Sequence, residues 1–330
     1  MLQWAIDHWN FRRAINTVVR AVADRNRLTI EDEYLASRRV AGRSRDVVLV
    51  PCWRRPEMLW HCLDNLARAD GVDQMHVVFR PDHGYDPDTI AVIRSFSDRL
   101  RSYEITPAVA CPYRRTRLSS NILVGYLYAA SIARSHVYMV EEDIMVGRDF
   151  FHWHQDVQSQ RSNLFCSIAV RNHNRDVALP DDPDGYYLSS GDYCSWGVCF
   201  HRRVITNLIA PHLNIPYLSH PKRYLRRQFA NSQVGLGYVE QAGLIRRIQE
   251  FSGRKIAYPT APRAFHGGFY GRNRAGGVEG ALTERVDQLA QVIYNPIAMR
   301  QAALTEQYAD DSEPVPLDIC ADAQLHQLIV

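Results

Sequence analysis

Between residues 47 and 150, short apolar runs alternate with amphipathic stretches. Val47-Val48-Leu49-Val50 is a continuous apolar run, as expected of a strand buried on both faces. Pro51 to Pro56 reads as the loop that follows, and residues 57–68 as a helix. Met75-His76-Val77-Val78-Phe79 reads as a second strand. Residues 86–100 read as a second helix, with Pro87 near its start, where proline is tolerated. Ser119 or Ser120 is placed to cap a third helix running to Arg134, and Val137-Tyr138-Met139-Val140 follows as a strand. Strands alternating with helices predict an α/β fold with a doubly wound, mostly parallel sheet. After Asp149 the pattern changes. Residues 165–170 and 196–200 read as strands, and 203–212 as a helix. The glycine- and arginine-rich region 231–275 reads as loops around a site. Upstream, Leu2, Ile6, Trp9, Ile15, Val18, Val19 and Val22 fall at helical spacing, which predicts an amphipathic helix laid on the core or on a partner. A polar linker from Arg38 to Arg45 follows it.

One strand ends unusually. Val140 runs directly into Glu141-Glu142-Asp143, and Ile144-Met145-Val146 comes next. A strand interior cannot hold three adjacent acids, because each unpaired buried charge costs several kcal/mol. The acids are therefore expected where the strand leaves the sheet and outside the core. In open α/β sheets that edge is where ligands bind. The pattern fits either a charged turn or an oxygen-rich site for Mg²⁺ or Mn²⁺ shared with phosphate.

Composition narrows the field. The chain has 330 residues and is 46% hydrophobic, enough for one large domain or two smaller ones. No apolar run approaches the ~18 residues of a membrane span. Met1-Leu2-Gln3-Trp4 lacks the basic and apolar regions of a secretory signal, so a cytoplasmic protein is expected. Seven scattered cysteines include no C-x-x-C pair, which favours reduced thiols over a disulfide framework or zinc. Only Lys222 and Lys255 are lysine among 39 basic residues. Residues 1–300 hold all 39 of these and 30 of the 36 acids, a net of +9. The other six acids and two prolines lie after Thr305, in a tail expected to be mobile. A basic body points either to an anionic partner or to ordinary solvated charge.

Several segments, taken in order, resemble one family. They are Val50-Pro51-Cys52-Trp53-Arg54-Arg55-Pro56, Cys62-Leu63-Asp64-Asn65-Leu66 and Asp82-His83-Gly84. Next come the acids continuing to Gly147-Arg148-Asp149-Phe150-Phe151, then Ser190-Gly191, Ser195-Trp196-Gly197 and Phe265-His266-Gly267-Gly268. The chain resembles GT-A glycosyltransferases, and most of all the N-acetylglucosaminyltransferase I family, over residues 47–270. That resemblance implies a GT-A fold in four parts. These are an N-terminal helix and linker (1–44), a nucleotide-sugar-binding half (45–150), an acceptor-side half (151–304) and the acidic tail (305–330). It implies a UDP-sugar donor and Mn²⁺ or Mg²⁺ as cofactor.

The same resemblance assigns roles. Asp143 resembles the direct metal ligand, with Glu141 and Glu142 as ribose and indirect partners, although this chain has Glu-Glu-Asp where the family has Glu-Asp-Asp. Arg54 resembles the arginine that holds the nucleotide, and Asp82 the acid on the uracil edge. Pro51 and Asn121 fall among the donor-side residues. His266 resembles a histidine near the diphosphate, or is structural. Glu240 sits about where the family places its catalytic base, opening a helix. It is either that base or an acid favoured by the helix dipole, with Asp192 and Glu250 as the other acids nearby. A separate base implies inversion by single displacement.

On the acceptor side lie Trp196 and the basic run Lys222-Arg223-Tyr224-Leu225-Arg226-Arg227. Arg246-Arg247, Arg254-Lys255, Arg263 and Arg272-Asn273-Arg274 follow. Basic residues interleaved with aromatics suit a phosphate backbone and unstacked bases, so a hydroxymethylated base in DNA is one expected acceptor. A polysaccharide, lipid-linked or protein acceptor is the alternative, and a sugar-nucleotide-binding protein without turnover is a third reading. A nucleotidyltransferase would carry a Gly-rich loop after the first strand, where this chain has Cys-Trp-Arg-Arg-Pro.

Overall fold

The computed structural model describes residues 45–267 apart from 83–85, 107, 109–110, 114–115, 171–184 and 192, together with residues 8, 9, 12, 13 and 15–17 near the N-terminus. The expected tail, Asp192, Arg272, Asn273, Arg274 and most of the N-terminal helix lie outside the described residues. Of that helix, Ile15 is buried in the main core and the His8 ring meets the Tyr113 hydroxyl at 3.0 Å.

The apolar run near residue 47 becomes strand β1 (Asp46–Cys52), buried along its whole length. It lies between β2 (Met75–Pro81) and β4 (His136–Met139), both parallel to it. The full sheet runs β3-β2-β1-β4-β8-β6-β9-β7, where β3 is Tyr103–Ile105, β6 Leu164–Ile168, β7 Tyr186–Ser189, β8 Val198–His201 and β9 Lys255–Pro259. Only β7 and β8 run against the rest. This is the α/β, doubly wound, mostly parallel architecture expected. The chain leaves β1 toward β2 on one side and returns from β3 to β4 on the other. The crevice beyond the ends of β1 and β4 is therefore the topological switch point. A second, two-stranded sheet pairs β5 (Ile144–Val146) with β10 (Ala264–His266).

Helices cover both faces: α1 (Pro56–Arg68), α2 (Pro87–Ser95), α3 (Arg117–Ile132) and α4 (Phe150–Gln160). A single α-turn, α5 (Arg202–Val204), continues as a π-helical and then a 3₁₀ stretch to His212. It is followed by α6 (Ile215–Ser219), α7 (Pro221–Gln228) and α8 (Gln241–Ser252).

Several expected boundaries move. Helix α2 stops at Ser95 rather than residue 100. Phe96 and Leu100, whose spacing extended the helical pattern, are buried from the turns that follow. Helix α3 begins at Arg117, so Ser119 and Ser120 are buried inside it and neither is its N-cap. Ser119 Oγ instead accepts a hydrogen bond from Gln241 N at 3.0 Å, tying α3 to α8. Residues 231–275 are not all loop, since α8 and β9 lie within them. Trp196 precedes its strand rather than belonging to it.

A buried and a half-buried histidine carry a pH signature. The buried His154 ring on α4 meets Ser167 Oγ at 2.7 Å, and burial pushes its pKa from 6.5 down to about 3. Burial likewise holds His201 at about 4. The unfolded chain protonates both below 6.5, whereas the folded chain does not until much lower pH. Their contribution is thus fully present above 6.5 and is lost as pH falls toward 3. His154→Gln is expected to flatten the fall in Tm between about pH 6.5 and 4; an unchanged slope would show that His154 is not held neutral.

Candidate functional site

The three acids lie where β4 leaves the large sheet. Val140 N donates to Leu49 O at 3.0 Å, extending the ladder one residue beyond β4. The chain then turns through Glu141, Glu142 and Asp143, closed by Ile144 N donating to Glu141 O at 2.9 Å. From there it enters β5, and Gly267 N, just past β10, donates to Asp143 O at 2.7 Å. The acids are thus held between the two sheets, at the switch point.

Glu142 and Asp143 are not outside the core, as expected, but within it, at 3% and 6% exposed, while Glu141 is half-buried. Their charge is tolerated because it is paired. Arg55, from the β1–α1 loop, donates from Nε to Glu142 Oε1 at 2.6 Å and lies with Nη1 2.9 Å from Asp143 Oδ2. The other oxygen of Glu142 accepts from Trp53 N at 2.6 Å. His266 Nε2, on β10, stands 3.7 Å from Asp143 Oδ2, and its ring stacks on the Trp196 indole at 4.2 Å between centroids. Gly197, beside that indole, has φ +60°, and an added Cβ would crowd Ala169 and Ala264 at 3.2 Å.

Burial raises the Glu142 pKa, and the Arg55 charge opposes the rise. Burial also works against the charge on Arg55, but Glu142 and Asp143 more than offset it and its pKa is raised. Glu141 is held well above the usual carboxylate range, first by burial and then by the Asp143 charge, while Ser195 hydrogen-bonds it.

The structure brings Asp143, Glu141, Glu142, His266 and Trp196 together. Sequence reasoning missed Arg55. In an extended loop neighbouring side chains face opposite ways, so one of two adjacent arginines reaches the acids and residue type alone does not say which. Arg54 is exposed in the same loop. Asp82 follows β2, and its N donates to Cys52 O at 2.8 Å, which sets it beside the end of β1. Pro51 is a buried residue of β1. Asn121 is buried in α3, with Arg80 Nε donating to its carbonyl at 3.0 Å and its own Oδ1 unpartnered.

Glu240 is exposed at the N-cap of α8, and its side chain makes no capping hydrogen bond. Glu250 is committed elsewhere, accepting from Ser232 Oγ and from Gln233 N. The loop before Glu240 is braced from inside. Arg247, fully buried, donates to the carbonyls of Val234, Gly235, Tyr238 and Gly243 at 2.8–2.9 Å. Gly243 lies so close that a Cβ there would fall 2.1 Å from Tyr238 O. The braced loop presents Leu236 and Tyr238, 41% and 63% exposed. Arg246 Nε donates to Tyr193 O at 2.9 Å, linking α8 to the segment that carries Ser195 and Trp196.

On α7, Pro221 and Leu225 are buried while Lys222, Arg223, Arg226 and Arg227 are exposed. Arg247 and Arg263, counted above among the basic residues facing an acceptor, are buried and add nothing to a surface.

Among the described residues no group of three or more His, Cys, Asp or Glu side chains is disposed to hold a metal ion. One oxygen nevertheless fits a cation: Asp143 Oδ1 is buried and has no hydrogen-bond partner. A hard cation there would complete its shell with water and ligand oxygens. No helix among the described residues is long and apolar enough to cross a membrane.

No protein-family model matches the chain, and no curated protein matches it in sequence. Solved structures match in shape. TarS of S. aureus, residues 1–349 in complex with UDP-GlcNAc, gives a TM-score of 0.42 at 12% identity over 76% of this chain and 66% of its own. The chain spans 39% of a longer TarS structure. The galactosyltransferase LgtC, in complex with donor and acceptor sugar analogues, gives 0.47 at 10% identity over 74% and 95%. The mannosyltransferase PcManGT of Pyrobaculum calidifontis, in complex with GDP-Man and Mn²⁺, gives 0.40 at 13% identity over 96% and 91%. At such identities and scores these are likenesses of shape and carry no argument about this chain's chemistry.

The two buried acids divide their roles, and stability measures the division. Glu142→Ala leaves Arg55 and the Trp53 amide without their main acceptor and is expected to cost about 3–5 kcal/mol in urea unfolding. Asp143→Asn keeps the Arg55–Glu142 pair and is expected to cost roughly 1 kcal/mol. Equal losses would contradict this division.

Proposed function

We propose that the protein is a GT-A-type glycosyltransferase that moves a sugar from a uridine diphosphate sugar to an acceptor hydroxyl, with inversion at the anomeric carbon. The observation that carries this is Asp143 at the switch point: a buried carboxylate with one oxygen bare and the other turned to Arg55 and His266. A diphosphate leaving group needs positive charge around it, which a cation on Asp143 together with Arg54 and Arg55 would supply. Asp143 Oδ1 would hold the divalent cation, which when bound neutralises charge developing on the leaving phosphate. Arg54 and Arg55 offer forked donors to phosphate or ribose oxygens. His266 is held flat against Trp196 beside Asp143. Asp82, at the end of β2, is the proposed partner of the uracil edge, with Pro51 and Asn121 walling the donor side.

Glu240 is the proposed general base. It is exposed at the end of a loop that Arg247 braces by hydrogen bonds, whereas Glu250 has both oxygens occupied. It would take the proton of the acceptor hydroxyl as the sugar–phosphate bond breaks.

The exposed basic face of α7 favours an acceptor that carries phosphate, and a hydroxymethylated base in DNA is the concrete form we propose. Trp196, already committed to His266, is less suited to meet that acceptor than Tyr238 is. A carbohydrate acceptor is the outcome if nucleic acid does not bind.

Thermal shift with UDP, in Mn²⁺ and in EDTA, tests donor binding. Stabilisation is expected only with metal, and Asp143→Asn is expected to remove it; equal shifts in EDTA would refute the metal's role. Glu240→Gln is expected to keep that shift while turnover with a donor and acceptor panel falls by about 10²-fold or more. Transfer at the parent rate would take the base role from Glu240. For the acceptor, alanine at Arg223, Arg226 and Arg227 together is expected to reduce the salt slope of DNA binding by up to about three units, one per lost phosphate contact. Filter binding across salt concentrations reads it, and no binding at low salt would return the acceptor to carbohydrate.

A further inference from the structure

The proposed chemistry accounts for a cation near Glu142 and Asp143, but the chain already supplies one. The Arg55 guanidinium reaches both acids, at 2.6 Å and 2.9 Å, with its side chain only 18% exposed. It is fixed from behind. Arg55 is the N-cap residue of α1, and Pro56 follows it. Its acceptor Glu142 is pinned by Trp53 N at 2.6 Å, and the Trp53 carbonyl accepts from Thr89 Oγ1 at 2.7 Å. Asp143 is divided as a result: Oδ2 faces Arg55 and His266, while Oδ1 is buried and unpartnered.

Two carboxylates side by side would draw a divalent ion strongly. With a guanidinium already spanning them, most of that attraction is spent before any ion arrives. A metal reaching this corner finds one bare oxygen and a positive neighbour. A diphosphate arriving with the metal changes the balance, because it brings oxygens for the ion and a forked acceptor for the arginine. We propose that Arg55 is a tethered cation that competes with the divalent metal for Glu142 and Asp143, so that the metal binds weakly alone and tightly only together with the donor diphosphate. The inference rests on the metal and donor reading above, and it makes Arg55 a positioning residue that couples the two ligands.

Direct Mn²⁺ titration, with free ion counted by electron paramagnetic resonance, reads this without turnover. Arg55→Gln is expected to bind Mn²⁺ in the absence of nucleotide at least about tenfold more tightly than the parent. Adding UDP is expected to tighten Mn²⁺ binding strongly in the parent and little in the variant. Combining Arg55→Gln with Glu142→Gln, which removes one acid as well, is expected to bring the affinity back toward the parent's. Should Arg55→Gln fail to fold, Arg55→Met fills similar volume without charge and takes its place. If Mn²⁺ affinity is unchanged or weaker without Arg55, or if UDP couples equally in both proteins, the inference is overturned and Arg55 is only a staple for the loop. If the parent takes no Mn²⁺ even with UDP, the inference is overturned, because the coupling to the diphosphate is absent, and the metal-dependent reading of donor binding falls with it; if UDP tightens Mn²⁺ binding equally with and without Arg55, only the inference falls.

Discussion

Everything at the switch point depends on the neutralisation of Glu142 and Asp143. Two carboxylates buried side by side are untenable without a partner, and the partner comes from 87 residues away in sequence, in the loop after β1. The Arg55 guanidinium and the Trp53 amide close that gap. They also fasten the β1–α1 loop onto the end of β4, so the crevice has a fixed floor. The turn through the acids can then leave the large sheet and start β5, and β10 folds back on β5 to bring His266 and Gly267 to Asp143.

The loop before α8 is held by another buried cation with a different kind of partner. Arg247 meets no carboxylate among its named hydrogen bonds; it donates to four backbone carbonyls of the 234–243 segment. Carbonyl oxygens carry only partial charge, and burial accordingly pulls the Arg247 pKa down where that of Arg55 is raised. One arginine organises charge, the other organises backbone.

The sheet was legible in the sequence because its central strands are continuous apolar runs, as at Val47-Val48-Leu49-Val50. So was the position of Glu141-Glu142-Asp143 at a strand end, since charge cannot interrupt such a run. Their burial was not legible. It depends on a guanidinium brought across the sheet, and local pattern records nothing of that. For the same reason Arg54 and Arg55 could not be told apart. The short strands β3, β5 and β10 carry only three residues each, too few to show a period. Ser119 looked like a cap because serine favours helix starts, yet its hydroxyl serves α8 instead. Arginines 247 and 263 read as surface by residue type, and only the fold shows them buried.

The order in which the chain must assemble follows from the same crossing. Two strands and three helices separate β1 from β4 in sequence, so the contact between Arg55 and Glu142 closes a long loop, whose entropy must be met before the contact is made. Until then the acids and the arginine remain in water, where neither is costly. Where such a contact forms after the transition state, it contributes little to the rate of folding and much to the rate of escape from the native state. On that footing the acidic corner is a latch: a contact that slows departure from the fold more than it speeds arrival at it.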